Sequence, residues 1–212
     1  KHTVRKYPAA SAAAAHIEAL AENECVFTER FKGSTLSVNR LELKRNPDGL
    51  PFAEIEYLEN SRTLEELLDE CLQNNDEAGF DKLFDRYCKI AAWKAEGTKQ
   101  DYDLTFPNIC VQGDIWTMID YEWTTDKLTP QQIISRALNC YGQEDPVVKK
   151  HLEALGIGKE QMRELSEKEL AFQHFVLQEK DGRSRTALGQ LRHLIGNRAV
   201  PYQEFFARAK NS

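Results

Sequence analysis

The sequence predicts an α+β fold in which a small β-rich part precedes a larger helical part. Apolar residues alternate with polar ones on both sides of the turn signal Asn46–Gly49 (NPDG), a pattern typical of a β-hairpin. From Thr63 onward, apolar residues recur every three or four positions, as on one face of an amphipathic helix. A second, isolated hairpin interrupts the helical part at residues 109–119.

The β-rich part contains one predicted helix and three predicted strands. An alanine-rich segment follows Pro8, and proline is compatible with the first turn of a helix. The predicted elements are a helix at Ala9–Glu22 and strands at Cys25–Phe31, Thr35–Leu43 and Pro51–Leu58, of which the last two form the hairpin.

The helical part is predicted from its apolar spacing and from candidate caps, with Thr63 at the start of the first helix. Between the second and third helices, the short strands of the isolated hairpin flank the turn residues Gln112–Asp114. The predicted helices are Thr63–Gln73, Asp76–Ala95, Thr129–Tyr141, Pro146–Leu155, Lys159–Lys180 and Thr186–Ile195, and the strands of the hairpin are Ile109–Val111 and Trp116–Ile119.

Composition excludes several classes of protein. The 212 residues carry a formal net charge of −6, which argues against a nucleic-acid partner. No segment approaches the roughly 20 apolar residues of a membrane-spanning helix. The phosphate-binding pattern GxxxxGK(S/T) and the dinucleotide pattern GxGxxG are both missing. Five scattered cysteines without a CxxC pair predict reduced thiols in a cytoplasmic protein.

Three oxygen-bearing side chains surround the isolated hairpin. Asp103 and Asn108 lie in the loop DYDLTFPN before the hairpin, and Asp120 lies in IDYEW after it. The hairpin folds Asp120 back beside Asn108, and Mg²⁺ selects oxygen ligands of this kind. We therefore predict Asn108 and Asp120 as metal ligands, and Asp103 as the group that accepts a proton from an attacking hydroxyl. The structural alternative is that Asp103 and Asn108 only cap a turn and that Asp120 only ends a strand.

This constellation resembles the catalytic centre of the protein-kinase-like fold, in its branch of aminoglycoside and choline phosphotransferases. That family has an HxDxxxxN loop followed by a hairpin that ends in an IDF-type sequence, and IDYEW looks especially like the choline kinase version. The resemblance spans residues 4–126 and implies a bilobal fold with ATP and Mg²⁺ as cofactors. Asp103 then matches the catalytic aspartate, while Asn108 and Asp120 match the metal ligands.

The resemblance also implies the residues that would hold ATP. Lys6, at the end of a strand Val4–Lys6, matches the lysine that contacts the nucleotide phosphates, and Glu18 or, as second choice, Glu22 matches its glutamate partner. A solvated helix face is the alternative for Glu18. The segment EYLENSRTLEELL resembles the family's hinge, in which Glu56, Tyr57 and Leu58 would meet the adenine edge.

Two departures from the family pattern favour an alternative, a non-catalytic pseudokinase or scaffold. Asp101 stands where the family has histidine, and its charge is expected to raise the proton affinity of Asp103. Only five residues precede Lys6, so the glycine-rich strands that would cover the triphosphate are missing from this chain. The expectation is either a chain cut from a longer protein, whose upstream domain supplies them, or a degenerate family member.

The style of the motifs is similar to kinase-like domains attached to bacterial methyltransferases and glycosyltransferases of surface-polysaccharide synthesis. This similarity implies a sugar hydroxyl, on a small molecule or a glycan, as acceptor. The predicted division of the chain is a partial N-lobe at 1–58, a helical C-lobe at 59–180 and a basic extension at 181–212. From Lys180 onward the charge is +5, either a solvated face or a peripheral contact with the inner face of the membrane.

Overall fold

The computed structural model describes residues 2–8, 14–126, 128–141 and 145–158, and also residues 160, 161, 163, 164 and 167. The chain divides into two compact units, Lys1–Met162 and Arg163–Ser212, and the fold below is that of the first. The predicted basic extension 181–212 and the predicted helix Thr186–Ile195 lie outside the described residues, as does most of the predicted helix Lys159–Lys180.

The first unit is a mixed α+β structure, which confirms the predicted α+β class. Its strands are β1 (Thr3–Lys6), β2 (Leu36–Val38), β3 (Leu41–Arg45), β4 (Pro51–Glu56), β5 (Arg62–Thr63), β6 (Gln100–Asp101), β7 (Ile109–Gln112), β8 (Ile115–Met118) and β9 (Thr124–Thr125). Its helices are α1 (Ala14–Arg30), α2 (Leu64–Gln73), α3 (Glu77–Ala92), α4 (Pro130–Tyr141) and α5 (Pro146–Ala154), with one 3₁₀ turn at Phe106–Asn108. None of the helices within the described residues is long and apolar enough to cross a membrane.

The N-terminal sheet has the strand order β1-β4-β3 and is antiparallel throughout. The predicted hairpin is confirmed as β3 and β4. The prediction of one strand at Thr35–Leu43 is wrong, because Leu36–Val38 forms β2, which pairs with β8, and only Leu41–Arg45 pairs with β4. The turn closes through the side chain of Asn46, which accepts a hydrogen bond from the N–H of Leu50 at 2.8 Å. Gly49 has a φ of 79°, a conformation that glycine adopts without steric cost. Lys6, the last residue of strand β1, lies opposite Ala53.

The second sheet, with strand order β2-β8-β7-β5, contains the isolated hairpin that the sequence predicts. Its register sets Ile109 opposite Met118, and the N–H of Ile119 donates to the backbone oxygen of Asn108 at 2.9 Å. Asn108 and Asp120 are therefore held at the same end of the two-stranded ribbon. Strand β2 runs parallel to β8 and joins the N-terminal part to this ribbon.

Helix α1 corrects one sequence prediction. Cys25–Phe31, predicted as a strand, continues the helix as far as Arg30. The buried positions of α1 follow helical spacing, but two of them are polar, so the apolar stripe that marks a helix is interrupted. The buried residues are Ile17, Leu20, Asn23, Phe27 and Arg30.

Helices α2 and α3 form the scaffold behind the loop that carries Asp103. Both begin as the sequence predicts: Thr63 and Glu66 make a reciprocal capping box on α2, and Asp76 caps α3. The ring of Tyr87 on α3 is fully buried against Phe106, with centroids 4.9 Å apart, and its hydroxyl donates to the backbone oxygen of Leu104 at 2.7 Å. These contacts fix the backbone next to Asp103.

Candidate functional site

A cleft of about 390 Å³ opens between the N-terminal sheet and the base of the β7–β8 hairpin. Its walls are mostly apolar and come from both sides: Val4, Leu20 and Ile55 from the N-terminal part, and Cys110 and Ile119 from the hairpin. Five of the eight predicted site residues line it, namely Lys6, Glu56, Tyr57, Leu58 and Asp120. An apolar cleft with a few convergent polar groups is the usual form of a small-molecule site.

Lys6 contacts two carboxylates at one end of this cleft. Its Nζ lies 2.6 Å from Oδ1 of Asp120 and also pairs with Glu122. Partial burial of the ammonium disfavours its charge, but hydrogen bonds to both carboxylates outweigh this cost, so the pKa of Lys6 lies above its usual value. Lys6 is therefore a fixed positive charge at the cleft, joined to a residue 114 positions away in sequence.

Asp120 has an unusual backbone for its residue type. Its φ is 56°, in the left-handed region that non-glycine residues seldom adopt. Such strained conformations cost roughly 1–3 kcal/mol and cluster at binding and catalytic sites. The side chain of Asp120 is 50% exposed, so its carboxylate is accessible from the cleft while Oδ1 holds Lys6.

Glu18 does not pair with Lys6. It accepts a hydrogen bond from Arg45 at 2.8 Å instead, on the exposed side of α1. The partner that sequence reasoning missed is Glu122, whose side chain is 19% exposed. The available signal was the segment Asp120-Tyr121-Glu122, where two acids flank an aromatic residue that is 2% exposed.

The predicted hinge follows β4 along the edge of the cleft. The backbone oxygen of Glu56 accepts a hydrogen bond from Asn39 at 3.0 Å, and that of Leu58 accepts one from Ser61 at 2.8 Å. Within the described residues, no acceptor bonds the N–H of Leu58. The hinge thus has a backbone donor at Leu58, and Tyr57, which is 51% exposed, also lines the cleft.

Asp103 lies in the loop between β6 and the 3₁₀ turn. Its Oδ1 is 3.0 Å from a terminal nitrogen of Arg136 on α4, and both side chains are mostly buried. Arg136 also donates to the backbone oxygen of Tyr102 at 2.9 Å and lies over the Tyr102 ring at 4.8 Å. The guanidinium of Arg136, which is itself held by its contacts with Tyr102, therefore keeps the Asp103 carboxylate in one orientation.

Asn108 is tied to the same loop. Its amide nitrogen donates to the backbone oxygen of Asp103 at 2.9 Å, which leaves the amide oxygen as an acceptor for other groups. An amide oxygen and a carboxylate are ligand types that suit Mg²⁺, which takes most of its ligands from water and phosphate. Within the described part of the chain, no three His, Cys, Asp or Glu side chains are grouped to hold a metal ion.

Asp101, which replaces the histidine of the resembling family, is fully buried. One of its oxygens accepts the N–H of Asp103 at 3.2 Å, and the other, Oδ2, has no hydrogen-bond partner among the residues that the structure describes. Burial first, and the charge of Asp103 second, raise the pKa of Asp101 well above its usual range. The neutral acid is the form favoured here, so Asp101 serves as a turn acceptor for the loop.

Comparison with protein-family models gives no match, and comparison with curated protein sequences gives no significant match.

Proposed function

We propose that this chain is a Mg²⁺-dependent phosphotransferase of the protein-kinase-like fold, which transfers the γ-phosphoryl group of ATP to a hydroxyl. One observation carries the proposal. Lys6, from the first strand, and Asp120, from the end of the ribbon, meet at 2.6 Å at one end of an apolar cleft. A fixed cation and an accessible carboxylate on opposite walls are the groups that a metal-bound triphosphate requires.

The other end of the cleft suits a nucleobase. The apolar side chains of Val4 and Ile55 on one wall and Ile119 on the other would contact the two faces of a flat ring. The N–H of Leu58 would donate to an acceptor on the edge of the ring. The hinge and Lys6 then bind opposite ends of one ATP molecule.

Asn108 and Asp120 would hold the magnesium ion, which supplies charge neutralisation at the phosphates when bound. Asp103 would accept a hydrogen bond from the acceptor hydroxyl and orient its oxygen toward the phosphorus. The ion pair with Arg136 holds the Asp103 carboxylate in one orientation. This suits a loose transition state, in which little proton abstraction is needed and orientation supplies most of the effect.

The acceptor is proposed from the resemblance to kinase-like domains of surface-polysaccharide synthesis. It would be a sugar hydroxyl on a small molecule or a glycan, phosphorylated in the cytoplasm. In the same proposal, an upstream domain of the polypeptide would cover the triphosphate, and the basic residues after Lys180 would contact the inner face of the membrane. Sugar kinase assays with a panel of mono- and oligosaccharides, read by ADP release, identify the acceptor.

The direct test is calorimetry with Mg-ATP on the chain and two variants. Asp120→Ala is expected to abolish metal-dependent nucleotide binding. Asp103→Asn is expected to keep binding and to lower turnover about 10²- to 10⁴-fold. The proposal is wrong if both variants bind nucleotide and turn over like the unaltered protein.

A non-catalytic scaffold is the second candidate, favoured by the state of Asp120. The ammonium of Lys6 already pairs with this carboxylate, so Asp120 has a counter-ion without a metal ion. A scaffold would give no heat with Mg-ATP and no ADP release with any acceptor, while Asp120→Ala would lower its thermal stability or partner binding only.

A further inference from the structure

We infer that Glu122 is the positioning residue for Lys6, and that it holds the lysine in place when Asp120 turns to the metal ion. The inference rests on the proposed function and assigns to Glu122 a role that the sequence suggested for Glu18. Lys6 contacts both Asp120 and Glu122, whereas Glu18 contacts Arg45.

The two carboxylates that share Lys6 differ in their access to solvent. The side chain of Asp120 is 50% exposed and lines the cleft, whereas that of Glu122 is 19% exposed and is not part of the cleft wall. A carboxylate that loses its counter-ion pays more when it is buried, because water cannot replace the lost interaction. Of the two, Asp120 is the one that can exchange its partner.

This difference in exposure gives Asp120 and Glu122 separate roles. When a cation and a triphosphate enter the cleft, Asp120 can leave Lys6 and turn to the metal ion at little cost, since it remains solvated. Glu122 keeps its ion pair with Lys6 and holds the ammonium at the end of β1. The lysine then stays beside the phosphates rather than swinging out to solvent, and the ordering of its four-carbon side chain is already complete before ATP binds.

The experiment compares ATP with adenosine in calorimetric titrations of the full chain, in the presence of Mg²⁺. Glu122→Gln is expected to weaken ATP binding roughly tenfold, the loss of one charge-assisted hydrogen bond, and to leave adenosine binding unchanged, because adenosine has no phosphate for Lys6 to contact. Lys6→Ala is likewise expected to weaken ATP binding and to leave adenosine binding unchanged. The double variant Lys6→Ala/Glu122→Gln is expected to lose no more ATP affinity than Lys6→Ala alone, because Glu122 acts only through the lysine.

Glu18→Gln is the matched control, because it removes a carboxylate of the same type from an ion pair outside the cleft; its ATP affinity is expected to stay within about twofold of the unaltered chain. The inference is overturned if Glu18→Gln weakens ATP binding as much as Glu122→Gln does, or if Glu122→Gln weakens ATP and adenosine equally. It is also overturned if Lys6→Ala weakens ATP binding and Glu122→Gln does not.

Two further outcomes have different consequences: the unaltered chain binds no nucleotide, or Glu122→Gln does not fold. If the unaltered chain binds neither ATP nor adenosine, the proposed function itself fails, and the inference fails with it. If Glu122→Gln does not fold, Glu122→Asp replaces it: this variant keeps the charge and is expected to retain ATP affinity within about threefold, and a tenfold loss in ATP and adenosine alike would overturn the inference.

Discussion

Two clusters of ionisable side chains in this protein differ in how far they are buried. The cleft cluster consists of Lys6, Asp120 and Glu122, where one ammonium contacts two carboxylates and all three groups keep some exposure. The buried cluster consists of Arg30 and Asp101, which are 5% and 0% exposed. The cleft cluster is accessible to solvent, whereas the buried cluster is not.

Arg30 satisfies its charge without a carboxylate contact. Its three nitrogens donate to the backbone oxygens of Ala91, Trp93 and Lys99 at 3.1 to 3.2 Å. Burial lowers the pKa of Arg30 to about 10, so the guanidinium stays charged at neutral pH. Arg30 thereby fastens the C-terminal end of α3 to the end of α1. The degree of burial, more than the type of charge, distinguishes these two clusters.

The largest expected effect is on folding, from Arg30→Met. Three backbone oxygens would lose their donor inside the protein, which is expected to lower the free energy of unfolding by about 3–5 kcal/mol. Urea denaturation measures the loss. Folded Arg30→Met is expected to bind Mg-ATP like the unaltered chain, and a loss of stability below about 1 kcal/mol would contradict the structural role given to Arg30.

Asp101→Asn is expected to stabilise the protein at pH 7. Since burial raises the pKa of Asp101, the native state holds its proton more tightly than the unfolded state, and stability falls as the pH rises from the unfolded pKa toward the native one. Asparagine does not titrate, so Asp101→Asn removes this pH dependence of stability. Its amide oxygen still accepts the N–H of Asp103. The gain is expected to be about 1 kcal/mol at pH 7 and to vanish near pH 4, in urea titrations at both pH values. Equal gains at both would refute a neutral Asp101.

Asp120→Asn tests the other side of the comparison, since it alters the cleft cluster while preserving the backbone. Asparagine tolerates a positive φ, and Lys6 keeps Glu122 as its partner. The free energy of unfolding is therefore expected to change by less than about 1 kcal/mol, while Mg²⁺-dependent ATP binding is lost. A melting curve and a calorimetric titration on the same sample separate the two effects. Destabilisation comparable to that of Arg30→Met would show that the cleft cluster is structural too.

The smallest effect is expected from Glu18→Gln. The pair Glu18–Arg45 is exposed, with 43% and 59% of the two side chains accessible, and such pairs contribute about 0.5 kcal/mol or less. Chemical denaturation at low and at high salt is expected to give nearly the same stability for this variant and the unaltered chain. A loss above about 1 kcal/mol would mean that α1 depends on its surface charges more than its buried face implies.

Local signals predicted most of the elements correctly. The hairpin around Asn46–Gly49, the capped helix α2 and the β7–β8 ribbon are formed where the pattern placed them, because turn residues, caps and alternation act within a few positions of each other. The error over Cys25–Phe31 came from Asn23 and Arg30, whose polar side chains occupy buried helix positions. Their burial is permitted by distant backbone oxygens, which no local pattern reveals.

The partners of the site residues were harder to predict than their positions. Lys6, Asp120 and the hinge segment line one cleft, as the resemblance implied, and whether that cleft binds ATP stays a prediction. The choice between Glu18 and Glu122 as partner for Lys6 depends on how α1 is rotated against the sheet. Glu18 lies on the exposed face of α1 and pairs with Arg45 on β3.

By itself, the amino-acid sequence determined the α+β class, the two hairpins and the loop in which Asp103 and Asn108 lie, since each depends on short-range backbone geometry and apolar periodicity. Only the tertiary structure decided which carboxylates face Lys6 and which side chains are sealed from water. The reason is physical: ion pairing and desolvation depend on distances and access across the folded molecule, and residues 6 and 120 become neighbours only when the sheet and the ribbon pack together.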